Sequence, residues 1–484
     1  MTSKEVTRLV HFRKILIVSI SAVLAGCTVG PNYQRPKLNV PPSFRGAQTT
    51  AQQASLADLP WWDVFRDDTL KALVKTALAN NYDLAIAISR VEQARQVAAQ
   101  AHSQYFPSFD YKTRLSEGKN QLLSSPASGQ GGLAGLAMTI VTASWEADVW
   151  GRIRRLNEAA KADYLATDET RRAVMLTLVS DLSSAYFRLL GLRLQMEIAL
   201  ETENTFDQTR ILFTHRAEGG ISSMLPVNRA SANQATAAAQ VAEFQRDIAL
   251  TEDQIKVLLG QNPGTIESKA SLLGESVPPE VPAGLPSSLL ERRPDVLSAE
   301  QNIRSANARI GLAKADYFPK VGLTSFFGKL SAPVQNFTSG SSTIGSIGIG
   351  MEGPIFQGGR LKARTREAVA GWEEAKLEYQ RTVLNAFRDV SDALLSREKL
   401  EAIRVEQAKS VQSQEDAVRL ANMRYNQGFS SYFEVLEAQQ QLFPAQLALA
   451  QTEVERRLVI VQLYRVLGGG WRLTDEQFRA AGAP

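Results

Sequence analysis

An internal duplication is the feature of this sequence that most limits the folds open to it. Three pairs of motifs recur 208 positions apart, namely Gly151-Arg152 with Gly359-Arg360, Gly220-Ile221-Ser222-Ser223 with Gly428-Phe429-Ser430-Ser431, and Leu259-Gly260 with Leu467-Gly468. A fourth, Tyr105-Phe106-Pro107, recurs 212 positions later as Tyr317-Phe318-Pro319. Four matches in the same order, several with turn residues, predict two copies of one structural unit.

Each copy contains a very long segment with the composition of a helix. Residues 152–218 and 361–427 contain no proline and one glycine each, Gly191 and Gly371. At about 1.5 Å per residue, such a helix is roughly 100 Å long, far beyond the usual length in globular proteins.

A second helix is predicted after each long one, over residues 227–259 and 434–467. The helix predicted over 434–467 is expected to be kinked at Pro444. The Gly-x-Ser-Ser motif lies between the two helices in both copies, so each copy predicts a long helical hairpin that reverses at this motif.

The segments before the long helices predict strands. Helical patterns over 70–104 and 295–316 stop at the two Tyr-Phe-Pro motifs, because proline disfavours helix in the residue before it. The predicted strands are 108–115, 138–148, 321–327 and 344–356, and the polar loops between them are 116–135 and 331–343. Two strands of about ten residues joined by a long polar loop are typical of outer-membrane barrel hairpins.

Four strands cannot close a barrel, and an open sheet edge in lipid leaves backbone groups unpaired. Three copies of the chain would supply about twelve strands, within the range of bacterial barrels. The fold class predicted is therefore an α+β membrane protein with an internal two-fold repeat, in which a trimeric 12-stranded β-barrel, four strands per chain, continues into a long α-helical barrel. The alternative is a periplasmic helical-bundle lipoprotein whose strand-like segments are loops.

The amino terminus has the order of an export signal. A basic stretch, an apolar run over 15–24 and a small-residue site, Leu24-Ala25-Gly26-Cys27, follow one another. The last four residues resemble a bacterial lipobox, which implies cleavage after residue 26 and diacylglycerol plus an N-acyl chain on Cys27. Thr28, rather than aspartate, implies sorting to the outer membrane. Cys27 is the only cysteine, so disulfides within the chain are excluded.

Charge and motifs argue against nucleic-acid binding and catalysis. The net charge is +4, of which +3 lies in the first 26 residues, so the mature chain has no basic footprint for nucleic acid. Residues 348–353 fit a dinucleotide-binding pattern, but Pro354 and strand-like residues follow where a helix is required. The mature chain has only His102 and His215, and neither belongs to a metal-binding or nucleophile motif. No enzyme activity, cofactor or metal is predicted.

Several motifs together resemble one family. They are Cys27-Thr28-Val29-Gly30-Pro31-Asn32-Tyr33, Trp61-Trp62 with Phe65, Asn81-Tyr82-Asp83-Leu84, Asp148-Val149-Trp150-Gly151-Arg152, Arg292-Arg293-Pro294-Asp295, Gly353-Pro354-Ile355-Phe356 and Leu467-Gly468-Gly469-Gly470-Trp471. The chain resembles TolC-type outer-membrane factors, in their NodT-like lipoprotein branch, over essentially its whole length. The resemblance implies a homotrimer in outer-membrane lipid that docks to a periplasmic adaptor and an inner-membrane pump of the resistance-nodulation-division class.

The resemblance also implies a gate at the turn end of the helical hairpins. Glu434 and Glu437 lie at i and i+3 on one helix, and three-fold symmetry would make each a ring of carboxylates that favours cations. The alternative is a pair of solvated glutamates in a first helical turn. Tyr425 matches a family tyrosine that holds the tip closed.

Two positions depart from the family pattern, since Ser430 replaces an arginine and Pro226 an aspartate that relatives can carry. The corresponding tip salt bridge is therefore impossible. Because Arg229 and Glu437 are 208 positions apart, a contact between them is the substitute hypothesis. The predicted adaptor contacts are the turn residues Gly219, Gly220, Ile221, Ser222, Ser223, Gly428, Phe429, Ser430 and Ser431.

The predicted organisation has five segments: a signal peptide (1–26), an anchor and proline-rich leader (27–60), a first repeat (61–270), a second repeat (271–470) and a tail (471–484). The first repeat contains strand hairpin 108–148 and helical hairpin 152–260. The second repeat contains strand hairpin 321–356 and helical hairpin 361–468. The function predicted is a passive outer-membrane channel of a tripartite efflux system, opened at its tip on docking. A type I secretion channel and a non-channel structural lipoprotein are the alternatives.

Overall fold

The computed structural model describes residues 28–46, 67–118, 134–268, 270–274, 286–331, 337–338 and 342–469. Its helices are α1 (Asp68–Asn80), α2 (Tyr82–Ser103), α3 (Arg152–Glu218), α4 (Met224–Leu258), α5 (Pro286–Leu289), α6 (Pro294–Ala315), α7 (Arg360–Asn426) and α8 (Tyr432–Val466). Its strands are β1 (Ser108–Gly118), β2 (Ala134–Ala147), β3 (Lys320–Ser331) and β4 (Thr343–Glu352). Cys27, Trp61, Trp62, Phe65, Gly470 and Trp471 lie outside the described residues.

The long helices repeat the duplication without any change in length. Helices α3 and α7 each contain 67 residues, and α4 and α8 each contain 35. All four pairs of helix ends are 208 positions apart, which agrees with the displacement of the sequence motifs. Helix α8 runs through Pro444 without interruption.

The chain divides into two compact units. Among the described residues, one unit comprises those up to 37, 91–167 and 298–379, and the other comprises those in 38–90, in 168–297 and from 380 to 469. The four strands belong to the first unit, and the two helix-to-helix turns belong to the second.

The first unit contains one antiparallel sheet with strand order β1-β2-β3-β4. Strands β1 and β4 form its edges. Alternate residues of the edge strands present large apolar side chains to the exterior, among them Tyr111 and Leu115 on β1 and Ile347 and Ile349 on β4. This alternation is the pattern of a strand with one face toward lipid.

Strand β4 is shorter than its predicted span of 344–356. It ends at Glu352, and Ile355 and Phe356 lie beyond it with exposed side chains. The expectation of a strand through residue 356 is therefore wrong; Pro354 has no N–H to donate to a ladder. Residues 348–352 lie in β4, so the dinucleotide-like pattern does belong to a glycine-rich strand.

Residues 29–32 of the leader pack against the rest of the first unit. The Arg155 guanidinium is buried and donates to the carbonyl oxygens of Val29 and Gly30, each at 3.2 Å, and to Asn32 Oδ1 at 2.9 Å. Gly30 has φ +97° and lies against Gly311 of α6, where a Cβ would collide with backbone. Glycine is required here because few other residues adopt this φ.

The predicted helix over 70–104 is two helices in the structure. Asn81 separates them with ψ 129°, outside the helical region. Its Oδ1 accepts from the backbone N–H of Leu84, and its Nδ2 donates to the carbonyl of Leu258, both at 3.0 Å. Asparagine side chains compete in this way with helical backbone bonds, so α2 begins with a cap at this residue.

The core of the second unit is formed by buried side chains of α3, α4, α7 and α8. Its fully buried side chains include Leu182, Tyr186, Leu189, Ile255 and Ile460. Helix α3 also contains the single 18-residue window, among the residues described, that is apolar enough to cross a membrane, and 61% of that window is buried inside the fold. Such burial is typical of a core helix.

Candidate functional site at the turn end of the helical hairpins

The two turns that join α3 to α4 and α7 to α8 have the same backbone conformation. Gly220 has φ +72° and Gly428 has φ +80°. This left-handed conformation ends a helix and is accessible mainly to glycine. All nine predicted tip residues lie in these turns, namely Gly219, Gly220, Ile221, Ser222, Ser223, Gly428, Phe429, Ser430 and Ser431.

Backbone hydrogen bonds close both turns in the same way. The N–H of Ile221 donates to the carbonyl of Arg216 at 2.8 Å, and the N–H of Phe429 donates to the carbonyl of Arg424 at 2.9 Å. This is the Schellman pattern of a helix end. It leaves the side chains of Ile221 and Phe429 81% and 73% exposed.

Tyr425 is bound by an arginine from the other hairpin. The Arg216 guanidinium donates to the Tyr425 hydroxyl, and its Cζ lies 5.5 Å from the centroid of the Tyr425 ring. The same guanidinium lies 5.7 Å from the centroid of Phe213. The predicted gate tyrosine is thus held within the chain by a charge-assisted hydrogen bond and cation–π contacts.

Tyr432 completes an aromatic cluster beneath this bond. Its ring centroid lies 4.5 Å from that of Phe213 and 4.9 Å from that of Tyr425. The Tyr432 and Thr209 hydroxyls are hydrogen-bonded at 2.9 Å. Burial raises the pKa of the Tyr432 hydroxyl, although the hydrogen bond with Thr209 and the charge of Arg216 oppose the shift. Tyr432 therefore remains neutral at physiological pH.

Glu434 is paired with an arginine across its own turn. Arg424 Nε lies 3.3 Å from Glu434 Oε2, with both side chains about half exposed. Such an exposed pair contributes at most about 1 kcal/mol. Glu434 also lies in the first turn of α8, where the helix dipole favours a carboxylate.

Arg229 does not contact Glu437 within the chain. Its guanidinium carbon lies 4.8 Å from the centroid of the Phe433 ring, and no ion pair joins it to Glu437 in the part of the chain described. A contact between Arg229 and Glu437 of different copies stays a prediction. Farther along the same two helices, Gln440 Nε2 of α8 donates to Asn233 Oδ1 of α4 at 2.7 Å.

Sequence reasoning missed Arg216, Arg424, Phe213, Thr209 and Tyr432. A signal for the two arginines was available, since Arg216 and Arg424 are 208 positions apart and precede equivalent glycine turns. No such signal marks the other three, because their contacts join different helices.

Comparison with known proteins supplies the identity. A sequence model described as "Outer membrane efflux protein" matches residues 73–261 and 285–469, one match for each repeat. The chain belongs to the outer membrane efflux protein family. The TolC-type resemblance, the outer-membrane location and the efflux function predicted from the sequence are confirmed.

Individual efflux proteins match over nearly the full chain. The probable efflux pump outer membrane protein TtgC of Pseudomonas putida is 32% identical, covering 95% of this chain and 96% of its own. The cation efflux system protein CusC of Escherichia coli is 30% identical over 95% and 99%. The structure of the outer-membrane channel OprN superposes with a TM-score of 0.83 at 30% identity, covering 92% of this chain and all of its own.

Among the residues that the structure describes, no group of three His, Cys, Asp or Glu side chains is close enough to hold a metal ion. His215 lies 3.6 Å from Glu218 at the exposed end of α3, as an ordinary i,i+3 pair.

Replacing Arg216 by alanine is expected to loosen the turn end of the efflux protein. A hydrogen bond to a charged donor contributes about 1.5–3 kcal/mol, so amide hydrogens at residues 216–222 should exchange roughly ten- to hundredfold faster. The matched control is Arg210→Ala on the same helix, which removes a half-exposed i,i+3 pair with Asp207. Equal exchange in the two variants would contradict a role for the Arg216 to Tyr425 bond.

Proposed function

We propose that three copies of this efflux protein close one barrel in the outer membrane. The observation that carries the proposal is the four-stranded sheet, whose edge strands β1 and β4 have no further strand beside them among the described residues. Exposed backbone groups at such edges cost several kcal/mol each in lipid. Closure with other copies satisfies them, and three copies give twelve strands.

The helical hairpins continue this barrel as a duct, and the turn end forms its gate. Glu434 and Glu437 are the candidate carboxylate rings, and Arg216 with Tyr425 holds the closed conformation within each chain. The charge of Glu434 is partly compensated by Arg424. A ring of acidic side chains in a constriction favours the passage of cations.

The two turns are the candidate docking surface for a periplasmic adaptor that connects the duct to an inner-membrane pump. They present an exposed apolar set, Ile221, Met224, Leu225, Phe429 and Phe433. An exposed apolar patch is typical of a protein interface.

Cys27 is the proposed attachment point for diacylglycerol and an N-acyl chain. The described leader begins at Thr28, whose side chain lies beside Gly151 at the start of α3, close to the sheet of the same unit. A lipid on the preceding residue would therefore anchor the chain near its membrane-facing strands. Two acyl attachments supply the anchoring that a single chain does not.

Single-channel conductance in planar bilayers tests the proposed function. The purified protein is expected to give a small, cation-preferring conductance, and Glu434→Gln/Glu437→Gln is expected to lose that preference because the carboxylate charge is removed. The control is Glu406→Gln, which removes an exposed glutamate of α7 paired with Lys409. Absence of channels from well-folded trimers would refute the duct, and unchanged selectivity in the double variant would refute the acidic gate.

A further inference from the structure

The two strand hairpins of the chain have the same register. Ser108 of β1 lies opposite Ser144 of β2, and Lys320 of β3 lies opposite Glu352 of β4. Adding 212 to 108 gives 320, and adding 208 to 144 gives 352, which are the displacements found in the sequence. The duplication therefore preserves individual residue pairs, and pairs in one repeat can be translated into the other.

The two hairpins are joined by pairing between β2 and β3, which we call a seam, and no second seam of this kind exists among the four described strands. Strand β2 pairs with β3, and Ser144 lies opposite Thr324. Translating this pair takes Ser144 to residue 352 in β4 and takes Thr324 to residue 112 in β1. Since β1 and β4 lie at opposite edges of the sheet, this second seam can form only between two copies.

We propose that β4 pairs with β1 of a neighbouring copy in the register that places Glu352 opposite Lys112 of that copy. The proposal rests on the trimeric barrel proposed above and specifies its subunit seam residue by residue. In this register the residue numbers of each β4–β1 pair add up to 464.

Charge complementarity supports this register independently of the repeat. Lys320 already lies opposite Glu352 within the chain, so the seam would place one carboxylate between two lysines. The equivalent row inside the chain is neutral and consists of Ser108, Ser144 and Thr324. Opposite charges on directly opposed strand residues stabilise their pairing. The charged row of Lys320, Glu352 and Lys112 thus lies at the seam between copies, where no connecting turn fixes the register of the paired strands.

The apolar face gives the same result. In this register Ile349 lies opposite Leu115 of the neighbouring copy, and these side chains are 80% and 71% exposed in the isolated chain. The equivalent pair within the chain is Val141 and Phe327, also apolar. A slip of one residue would turn these side chains to opposite faces. A slip of two in one direction would face Glu352 with Asp110, a like charge, whereas a slip in the other would face Glu352 with Arg114 and Ile349 with Glu117.

Cysteine pairs in the full-length protein test the register. Directly opposed residues lie within disulfide reach, so Lys112→Cys/Glu352→Cys is expected to give oxidised dimers and trimers on denaturing gels. The repeat-equivalent control, Ser144→Cys/Thr324→Cys, is expected to form its bond within one chain and to remain monomeric on the same gels. Each single variant is run beside them to exclude other thiol contacts.

The outcomes separate the register from the proposed function. Two further pairs, Arg114→Cys/Glu352→Cys and Asp110→Cys/Glu352→Cys, represent registers slipped by two residues. If either of them links copies more strongly than Lys112→Cys/Glu352→Cys does, the register is overturned while a conducting trimer is left intact. Absence of linkage in all three pairs, with channels still present in the unmodified protein, would overturn the β4 to β1 seam. Absence of both trimers and channels in the unmodified protein would overturn the proposed function and the seam with it.

Discussion

Arg293→Ala is expected to lower the free energy of unfolding of the second unit by roughly 1.5–3 kcal/mol, because it removes the charge-assisted hydrogen bonds of a buried guanidinium. The Arg293 side chain is 11% exposed and binds Asp295 at 2.7 Å, Asp389 at 3.3 Å and the carbonyl of Val466 at 3.4 Å. Burial would lower the pKa of this guanidinium, but the hydrogen bonds and charges of the two aspartates raise it. Hydrogen exchange of α8 amides and of the α7 amides around Asp389, in increasing denaturant, measures the effect.

The matched control for this variant is Arg388→Ala. Arg388 also contacts Asp389, at 2.8 Å, but its side chain is 63% exposed. Exposed pairs contribute little, so this variant should unfold like the unmodified protein. Similar losses in the two variants would contradict a special role for the buried arginine.

The second large effect is expected at one of the two glycines in the long helices. Gly191→Leu should destabilise the second unit by about 1–3 kcal/mol, because a Cβ at this position would overlap the Val454 side chain of α8. Gly371→Ala should instead stabilise by about 0.5–1 kcal/mol, since a Cβ there meets no atom within 4 Å in the chain and alanine favours helix. Thermal unfolding followed by circular dichroism compares the variants, and destabilisation by Gly371→Ala would be the contrary result.

The helices were predictable from the sequence because their signals are local. Helix α3 spans the predicted Arg152–Glu218, and α7 begins and ends one residue before its predicted bounds. Absence of proline and a glycine turn at the end suffice for such a prediction. The break at Asn81 was not predictable in the same way, because the partner of its side-chain amide is the carbonyl of Leu258, 177 positions away.

The candidate site was only partly predictable. Family resemblance singled out Tyr425, but its partner Arg216 lies 209 positions earlier and belongs to the other repeat. The repeat itself suggested a contact between Arg229 and Glu437, and the structure pairs Arg229 with Phe433 instead. A displacement in sequence identifies equivalent positions, whereas the rotation of packed helices decides which of them meet.

The sequence by itself determined the duplication, the lengths of the long helices and the number of strands, because proline, glycine and periodic patterns act over a few neighbouring residues. Only the tertiary structure distinguished members of equivalent pairs. Arg216 binds the partly buried aromatic cluster, whereas Arg424 binds a half-exposed carboxylate. A Cβ at Gly191 would meet another helix, whereas one at Gly371 would meet no atom within 4 Å. The two repeats carry the same local signals, but each residue's contribution depends on the neighbours that packing brings to it, and those neighbours differ between the repeats.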